Sequence, residues 1–315
     1  MTERDTTPTV TILLASYNGA QHITEQLESI GAQTHENWRL IVSDDGSTDS
    51  TRDLVAQFAA SFPKGQVTLI EGPKRGASSA NFMSLMNQYN INSGEYVAFC
   101  DQDDVWYVDR LARGLNMLSP VSPEDIALYG SRTKITDEQL NPLGLSPLFE
   151  RPQSFANALV QNFAGGNTML MTPGAADELA LLAGQTREVV AHDWWAYLIV
   201  SALGGQIFYD PVPTLFYRQH DANLIGSNMG FRAQMRRVRG LFDGQYKRWN
   251  RTNITALRLA VDRVSPDIRA RIDMFEVLNQ ASGLSALRKL SALGLYRQTN
   301  LSQFALWLGA FLGRL

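Results

Sequence analysis

Short apolar runs alternate with amphipathic segments over the first hundred residues, and this alternation restricts the possible folds more than any other feature. The apolar runs predict strands at residues 10–14, 38–43, 67–71 and 96–100, and the amphipathic segments predict helices at residues 23–32, 51–62 and 81–89. Strands that alternate with helices form βαβ units, whose strands are parallel. Their right-handed crossovers place helices on both faces of the sheet. The sequence therefore predicts an α/β fold with a mixed, mostly parallel sheet flanked by helices.

The rest of the chain continues this pattern less regularly and then becomes helical. Further strands are predicted at residues 126–133, 168–172, 206–209 and 214–218, and further helices at residues 174–182 and 194–202. We assign residues 1–225 to one domain and residues 226–315 to a basic helical region. Residues 1–231 contain 13 Lys and Arg against 26 Asp and Glu, whereas residues 232–315 contain 15 against 5. Such a contrast indicates two regions with different roles.

Three carboxylates, Asp101, Asp103 and Asp104, directly follow the predicted strand at residues 96–100. Ligands of parallel sheets bind at the carboxyl ends of the strands, so these side chains are expected in a binding site. Like charges held close together repel unless a cation lies between them, and carboxylates suit Mg²⁺ or Mn²⁺. Capping of the next helix by Asp103 or Asp104 is the alternative, but a cap needs one acid rather than three.

A second acidic pair, Asp44 and Asp45, ends the predicted strand at residues 38–43. The residues that follow it include Ser47 and Asp49, which are candidate N-caps for the next helix. Capping does not account for Asp44 at the tip of the strand. We therefore predict that Asp44 accepts a hydrogen bond from a nucleobase N–H.

Residues 10–18, 44–49 and 101–104 together resemble the nucleotide-binding half of family-2 glycosyltransferases, which have the Rossmann-like GT-A fold. The resemblance extends over roughly residues 8–225. It implies a nucleotide-sugar donor and a divalent metal cofactor, Mn²⁺ or Mg²⁺. The contacts that it implies are Ala15 and Tyr17 with the base, Asp44 with N3–H of uracil or thymine, Lys74 or Arg75 with the base or the diphosphate, Asp101 and Gln102 with the ribose or donor sugar, and Asp103 with the metal.

A third motif, residues 192–195, begins a predicted helix. The resemblance implies that Asp193 is the general base, which deprotonates the acceptor hydroxyl for attack opposite the nucleotide and so inverts the anomeric carbon. Capping of the helix by Asp193 is compatible with this role. The residues assigned to the acceptor or sugar are Gly166, Asn167, His192, Trp194 and Trp195. His192 either tunes the base or only packs, and Gly166 alternatively belongs to a plain turn.

Arg218 is the last residue of the predicted strand at residues 214–218, and His220 lies two residues after it. We predict that Arg218 binds the diphosphate and that His220 completes the metal shell or contacts a phosphate. A lone histidine is more often structural, so a packing role for His220 is the alternative.

The motifs are most similar to those of the bacterial rhamnosyltransferase subgroup. This similarity implies dTDP-L-rhamnose as donor, a saccharide acceptor that is often lipid-linked, and O-antigen or another cell-surface polysaccharide as product. A UDP-hexose donor is the alternative within the fold. The alternatives of other classes are a nucleotidyltransferase and a non-catalytic sugar-nucleotide-binding protein. A nucleotidyltransferase would normally carry a basic Gly-rich loop after the first strand, where this chain has the uncharged residues 15–19.

The C-terminal region combines basic charge with apolar residues at helical spacing. Residues 231–271 contain 11 Lys and Arg against 3 acids, and Leu301, Phe304, Leu308 and Phe311 recur along one helical face. Such a region suits an anionic membrane surface, and an ordinary subdomain packed on the catalytic one is the alternative. No apolar run reaches the ~18 residues of a spanning helix, and no motif indicates nucleic acid. We predict a cytoplasmic protein, peripheral on the inner face of the cell membrane.

Overall fold

The structure is a computed structural model that describes residues 7–88, 94–219 and 244–315. The strands in this part of the chain are β1 Val10–Ser16, β2 Trp38–Asp44, β3 Val67–Glu71, β4 Tyr96–Cys100, β5 Val105–Trp106, β6 Ala127–Ser131, β7 Lys134–Thr136, β8 Pro142–Leu145, β9 Leu170–Met171, β10 Gln206–Asp210 and β11 Leu215–Arg218. The helices are α1 Ile23–Gly31, α2 Thr51–Ala59, α3 Ser78–Gln88, α4 Arg110–Leu118, α5 Phe155–Ala158, α6 Pro173–Ala183, α7 His192–Ala202, α8 Gln245–Leu259, α9 Pro266–Gln280, α10 Gly283–Ala292 and α11 Asn300–Phe311.

The larger sheet has the strand order β10-β6-β9-β4-β1-β2-β3. Strand β1 is central and parallel to both β2 and β4, whereas β9 is antiparallel to β4 and β6. The predicted mixed, mostly parallel sheet with flanking helices is confirmed. In this register Ser16 lies beside Asp44, and Leu14 lies beside Cys100. The loops after β1, β2 and β4 therefore leave the sheet at the same edge.

A smaller sheet has the order β5-β11-β7-β8 and was not predicted as a separate unit. Strand β5 follows the acid cluster directly and pairs antiparallel with β11. Strand β11 also pairs parallel with β7, which forms a hairpin with β8. This sheet brings the chain near residue 218 back to the loop after β4.

The structure corrects two predicted elements next to that loop. The predicted strand at residues 168–172 is shorter, because a 3-10 turn at Gly166–Thr168 precedes the two-residue strand β9. The helix predicted from residue 194 begins at His192, so that Asp193 lies in its first turn. Gly166 and Asn167 therefore lie in a tight turn, and Asp193 lies in the first turn of α7.

Helices α8 to α11 pack on the α/β part and share its core. Ile254 and Leu257 of α8, with Phe275 of α9, belong to the same buried cluster as Trp195 and Tyr197 of α7. The predicted domain boundary at residue 225 and the basic residues 232–239 lie outside the described residues. In the described ranges no helix is both long enough and apolar enough to cross a bilayer.

Candidate active site

The loop after β4 carries the predicted acid cluster. Asp101 and Asp103 are half-buried, whereas Asp104 is fully buried. The Asp104 carboxylate accepts hydrogen bonds from Asn167 Nδ2 at 2.5 Å and from the Arg218 backbone N–H at 3.3 Å. Burial, together with the neighbouring Asp103 and Asp101 carboxylates, raises the pKa of Asp104 well above its usual range. Asp104 therefore anchors the loop from the inside, and the other two carboxylates reach solvent.

The two half-buried carboxylates fit a divalent cation. Burial, with smaller contributions from the Asp103 and Asp193 carboxylates, raises the pKa of Asp101 to about 8, so a nearby cation would be needed to keep Asp101 ionised at neutral pH. Within the described residues, no group of three or more His, Cys, Asp or Glu side chains is arranged to hold a metal ion. One or two carboxylates completed by substrate phosphates are, however, a usual Mg²⁺ site. His220, the other predicted metal ligand, lies outside the described residues.

Arg110 lies buried behind the acid loop and was not predicted to belong to the site. Its guanidinium stacks 3.6 Å from the centroid of the Trp106 ring. Its Nη2 donates to the carbonyl oxygens of Asn167, Met169 and Phe99 at 2.7, 3.3 and 3.4 Å. Burial lowers the pKa of Arg110 to about 10, which still leaves the side chain charged at neutral pH. This buried cation fixes the backbone of β4 and of the 3-10 turn.

Asp193, the predicted general base, points its carboxylate at the same 3-10 turn. Its Oδ2 accepts the Gly166 backbone N–H at 3.1 Å, and its Oδ1 accepts the Trp194 N–H at 2.7 Å. Burial raises the pKa of Asp193 to about 6, although these hydrogen bonds and one from Asn162 act in the opposite direction. Such a carboxylate is mostly ionised at neutral pH and is still basic enough to accept a proton. The arrangement suits a general base held in place by backbone donors.

The 3-10 turn at Gly166–Thr168 joins the acid loop to Asp193. Asn167 donates to Asp104 through its side chain and accepts from Arg110 through its carbonyl, while the preceding Gly166 donates to Asp193. A Cβ on Gly166 would lie 2.3 Å from His192 Nε2, so only glycine fits there. Gly166 and Asn167 are both buried, and direct sugar contact by the Asn167 side chain is therefore a prediction that the structure does not support.

The aromatic residues of the third motif pack in the core. His192 stacks on Phe82 at 3.9 Å between ring centroids, and burial lowers its pKa to about 3, so it is neutral. Trp194 Nε1 donates to the Ala158 carbonyl at 2.7 Å, and Trp195 is 1% exposed. These three side chains support α7 from below the surface. Their predicted contact with an acceptor is corrected, because none of them presents a free face.

The loops after β1 and β2 are tied together through Asp44. Its carboxylate is fully buried and accepts hydrogen bonds from Ser47 N at 2.9 Å, Ser47 Oγ at 2.5 Å and Ser16 Oγ at 3.1 Å, with Arg52 Nη1 at 3.4 Å. Burial alone would raise the pKa of Asp44, but these donors lower it below the usual value. These hydrogen bonds give Asp44 a structural role in joining the two loops, and its contact with a nucleobase stays a prediction.

Asp45, for which no contact was predicted from the sequence, binds the loop after β3. Its carboxylate accepts the backbone N–H groups of Lys74 at 2.5 Å, Arg75 at 3.3 Å and Gly76 at 2.8 Å. A Cβ on Gly72 would lie 2.8 Å from the Asp44 carbonyl oxygen, so glycine lets this loop approach β2. The Lys74 and Arg75 side chains are exposed at the rim, and their contact with the base or the diphosphate stays a prediction.

The loop after β1 is fixed to the acid loop by Gln102. The Tyr17 backbone N–H donates to Gln102 Oε1 at 2.9 Å, and Gln102 Nε2 donates to the Tyr17 carbonyl at 3.1 Å. The Tyr17 side chain is exposed beside this pair, whereas Ala15 is buried at the end of β1. Gln102 therefore positions Tyr17 and has its own side-chain amide committed.

Arg218 has a different role from the predicted one. Its side chain is 3% exposed, forms an ion pair with Glu25, and donates to the carbonyl oxygens of Asp103 at 3.0 Å and of Glu138. Arg218 thus ties the smaller sheet to α1 and to the acid loop. The predicted diphosphate contact is corrected, because the guanidinium is enclosed by partners within the chain.

Comparisons with known proteins agree with this architecture. The model of glycosyl transferase family 2 matches residues 11–174. A dTDP-rhamnosyl transferase, RfbG of Shigella flexneri, is 28% identical over 257 residues, which are 79% of this chain and 84% of that protein. A UDP-Glc:alpha-D-GlcNAc-diphosphoundecaprenol beta-1,3-glucosyltransferase, WfgD of Escherichia coli, is 35% identical over 109 residues, which are 35% of this chain and 40% of that protein.

Solved structures share the fold at low sequence identity. S. aureus TarS 1-349 in complex with UDP-GlcNAc has a TM-score of 0.57 and 16% identity, with 96% of this chain and 79% of that chain covered. The mannosyltransferase PcManGT from Pyrobaculum calidifontis, in complex with GDP-Man and Mn²⁺, has a TM-score of 0.52 and 17% identity, with 98% and 86% covered. The similarity to these enzymes confirms the predicted GT-A fold.

Proposed function

The chain belongs to glycosyl transferase family 2, and from this premise we propose an inverting, metal-dependent transferase that moves L-rhamnose from dTDP-L-rhamnose to a saccharide. One observation carries the proposal. The 3-10 turn donates to Asp193 from the Gly166 N–H at 3.1 Å and to Asp104 of the acid loop from the Asn167 side chain at 2.5 Å. A candidate base and a candidate diphosphate site therefore lie at the same turn, as transfer in a single displacement requires.

The residues of the chain would act as follows. Ionised Asp193 accepts the proton of an acceptor hydroxyl, whose oxygen bonds to the anomeric carbon as the bond from that carbon to the diphosphate oxygen breaks. The electron pair of the broken bond leaves with the diphosphate, and attack from the opposite face inverts the configuration. Gly166 and Trp194 hold the carboxylate in position through their N–H groups.

A divalent metal would be held by Asp103, with Asp101 beside it, and would supply positive charge to the departing diphosphate. The raised pKa of Asp101 supports this assignment, because a bound cation would stabilise its ionised form. Lys74 and Arg75, which lie exposed on the loop held by Asp45, supply further cations at the rim. Tyr17 is exposed beside the same edge and remains a candidate for stacking on the base.

The choice of L-rhamnose rests on the Shigella relative, which this chain matches over most of both lengths. A UDP-hexose is the second candidate, because the Escherichia relative named for UDP-Glc has a higher identity over a shorter stretch. The name of the Escherichia relative contains GlcNAc-diphosphoundecaprenol, which favours a saccharide acceptor carried on a lipid, as in cell-surface polysaccharide synthesis. A lipid-linked acceptor places the reaction at the inner face of the cell membrane.

A thermal-shift screen of nucleotide-sugars with Mn²⁺ tests the proposal. A ligand at 100 times its Kd stabilises the folded state by about 2.7 kcal/mol, which raises the Tm by several degrees. We expect dTDP-L-rhamnose to raise the Tm more than dTDP-glucose, UDP-glucose or UDP-GlcNAc. A larger shift with UDP-glucose would replace the rhamnosyl assignment by the second candidate, and no shift with any of the four would contradict nucleotide-sugar binding.

A further inference from the structure

Helix α11 is apolar on the side that faces away from the protein as well as on the side that packs. Leu306 and Ala310 are buried against the core. The outward side chains are Leu301, Phe304, Trp307, Leu308, Phe311 and Leu312. At 100° per residue these six positions span an arc of about 140°, and the polar residue of α11 that falls within it is Asn300 at the start of the helix. We call them the α11 face.

The α11 face is strongly exposed. Leu301 is 68% exposed and Phe304 is 65% exposed. Gly313, which follows α11, lies against Ser282, and Leu284 of α10, two residues later, is itself 68% exposed. Single exposed apolar side chains are common on protein surfaces, but a contiguous group of large ones marks an interaction site.

The charged side chains in the segment that contains the α11 face are of one sign. From residue 277 to the C-terminus the chain contains Arg288, Lys289, Arg297 and Arg314 and no acidic residue. Lys247 of α8 reaches the same end of the helix, where its Nζ donates to the Gly313 carbonyl at 3.4 Å. By contrast, residues 1–231 carry twice as many acids as bases. A partner that covers this face is therefore expected to be apolar inside and anionic at its surface.

We propose that the α11 face docks on an anionic lipid bilayer, with α11 lying in the plane of the interface. The helix has 12 residues and is about 18 Å long, which is too short to cross the ~30 Å hydrocarbon core. Phenylalanine, tryptophan and leucine side chains along one face are the composition that inserts between headgroups, and nearby Lys and Arg add attraction to anionic lipids. The acidic body of the protein is repelled by the same lipids, which orients the C-terminal helices toward the membrane.

Flotation of the full-length protein with vesicles tests this docking. We expect binding to vesicles of phosphatidylglycerol and phosphatidylethanolamine, weaker binding to phosphatidylcholine alone, and a decrease with added salt. The double variant F304S/F311S removes two exposed apolar side chains and is expected to lower the partition coefficient roughly tenfold or more. The matched control is Val108→Ser, which removes an apolar side chain that is 55% exposed on the α/β part and leaves binding unchanged.

Three results would overturn the docking proposal. The first is no flotation of the wild type, and the second is equal flotation of F304S/F311S when its circular dichroism and Tm match the wild type. The third is a dimer in light scattering that F304S/F311S dissociates, because the face would then cover a second copy of the chain. The variant Asp193→Asn should float like the wild type. Flotation therefore tests the docking proposal independently of the assignment of Asp193 as the base.

Discussion

Replacement of Asn167 by alanine tests whether the 3-10 turn couples the acid loop to the base. The Asn167 side chain supplies one of the two hydrogen bonds that the fully buried Asp104 carboxyl receives from Asn167 and Arg218. Loss of a partner for a buried polar group costs about 1–3 kcal/mol. We therefore expect the free energy of unfolding in urea to fall by about 2 kcal/mol.

The same replacement should also slow the reaction, because Gly166 holds Asp193 from the neighbouring position of the turn. A displacement of a reacting group by about 1 Å can cost two orders of magnitude, so we expect kcat to fall at least about tenfold. The measurement is transfer at saturating substrate, well below the Tm of the variant.

Asn157→Ala is the matched control for this experiment. Asn157 is also fully buried, and its side chain donates to the Tyr296 carbonyl at 3.0 Å and accepts from the Tyr197 hydroxyl at 3.1 Å. Its removal should cost similar stability and leave kcat unchanged, because its partners are outside the acid loop. If both variants lose the same stability and Asn167→Ala retains wild-type kcat, the turn does not position the base and the coupling is refuted.

Two further predictions concern the carboxylates. For Asp193→Asn we expect the rate of transfer to fall about 10²-fold or more, while nucleotide-sugar binding is retained. In the wild type, kcat should rise as the pH increases through about 6, because the base must be ionised and its pKa is about 6. Wild-type turnover in this variant, or a profile flat between pH 5 and 7, would assign the base elsewhere. For Asp103→Ala we expect calorimetry to show loss of Mn²⁺-dependent nucleotide-sugar binding. The control is Asp109→Ala, which removes an exposed acid that makes no capping bond and should bind the nucleotide-sugar normally. Unchanged binding in Asp103→Ala would contradict the metal assignment.

The parallel half of the fold was predictable because each strand is a separate apolar run that ends in polar residues. The smaller sheet was not, because β5 has only two residues and shows no periodicity. Its pairing with β11 joins residues more than a hundred positions apart. Local sequence therefore predicts strands that are long enough to show a buried apolar run or an alternation of apolar and polar residues. It misses short strands that form only by pairing with a strand far away in the sequence.

The candidate site shows the same limit at the level of side chains. Sequence placed Asp101 and Asp103 after a strand and Asp193 at the start of a helix, and the structure links the acid loop and Asp193 through the 3-10 turn. It misread Arg218, because the ion-pair partner, Glu25, is 193 residues away. It missed Arg110, because an arginine at the start of a helix is usually solvated, and only the fold shows that Trp106 and three carbonyl groups enclose it.

The core shared by α7 and the C-terminal helices has a consequence for the choice of acceptor. Trp194 follows the proposed base directly, and its ring packs edge-on against Trp249 of α8, 6.2 Å between centroids. The distance from Asp193 to the α11 face is thus set by packed side chains instead of a flexible tether. If the α11 face docks on a bilayer as proposed, this packing would hold the proposed base at a constant height above the lipid. Acceptors would then be selected by how far their glycan reaches from its anchor, in addition to the sugar at its tip.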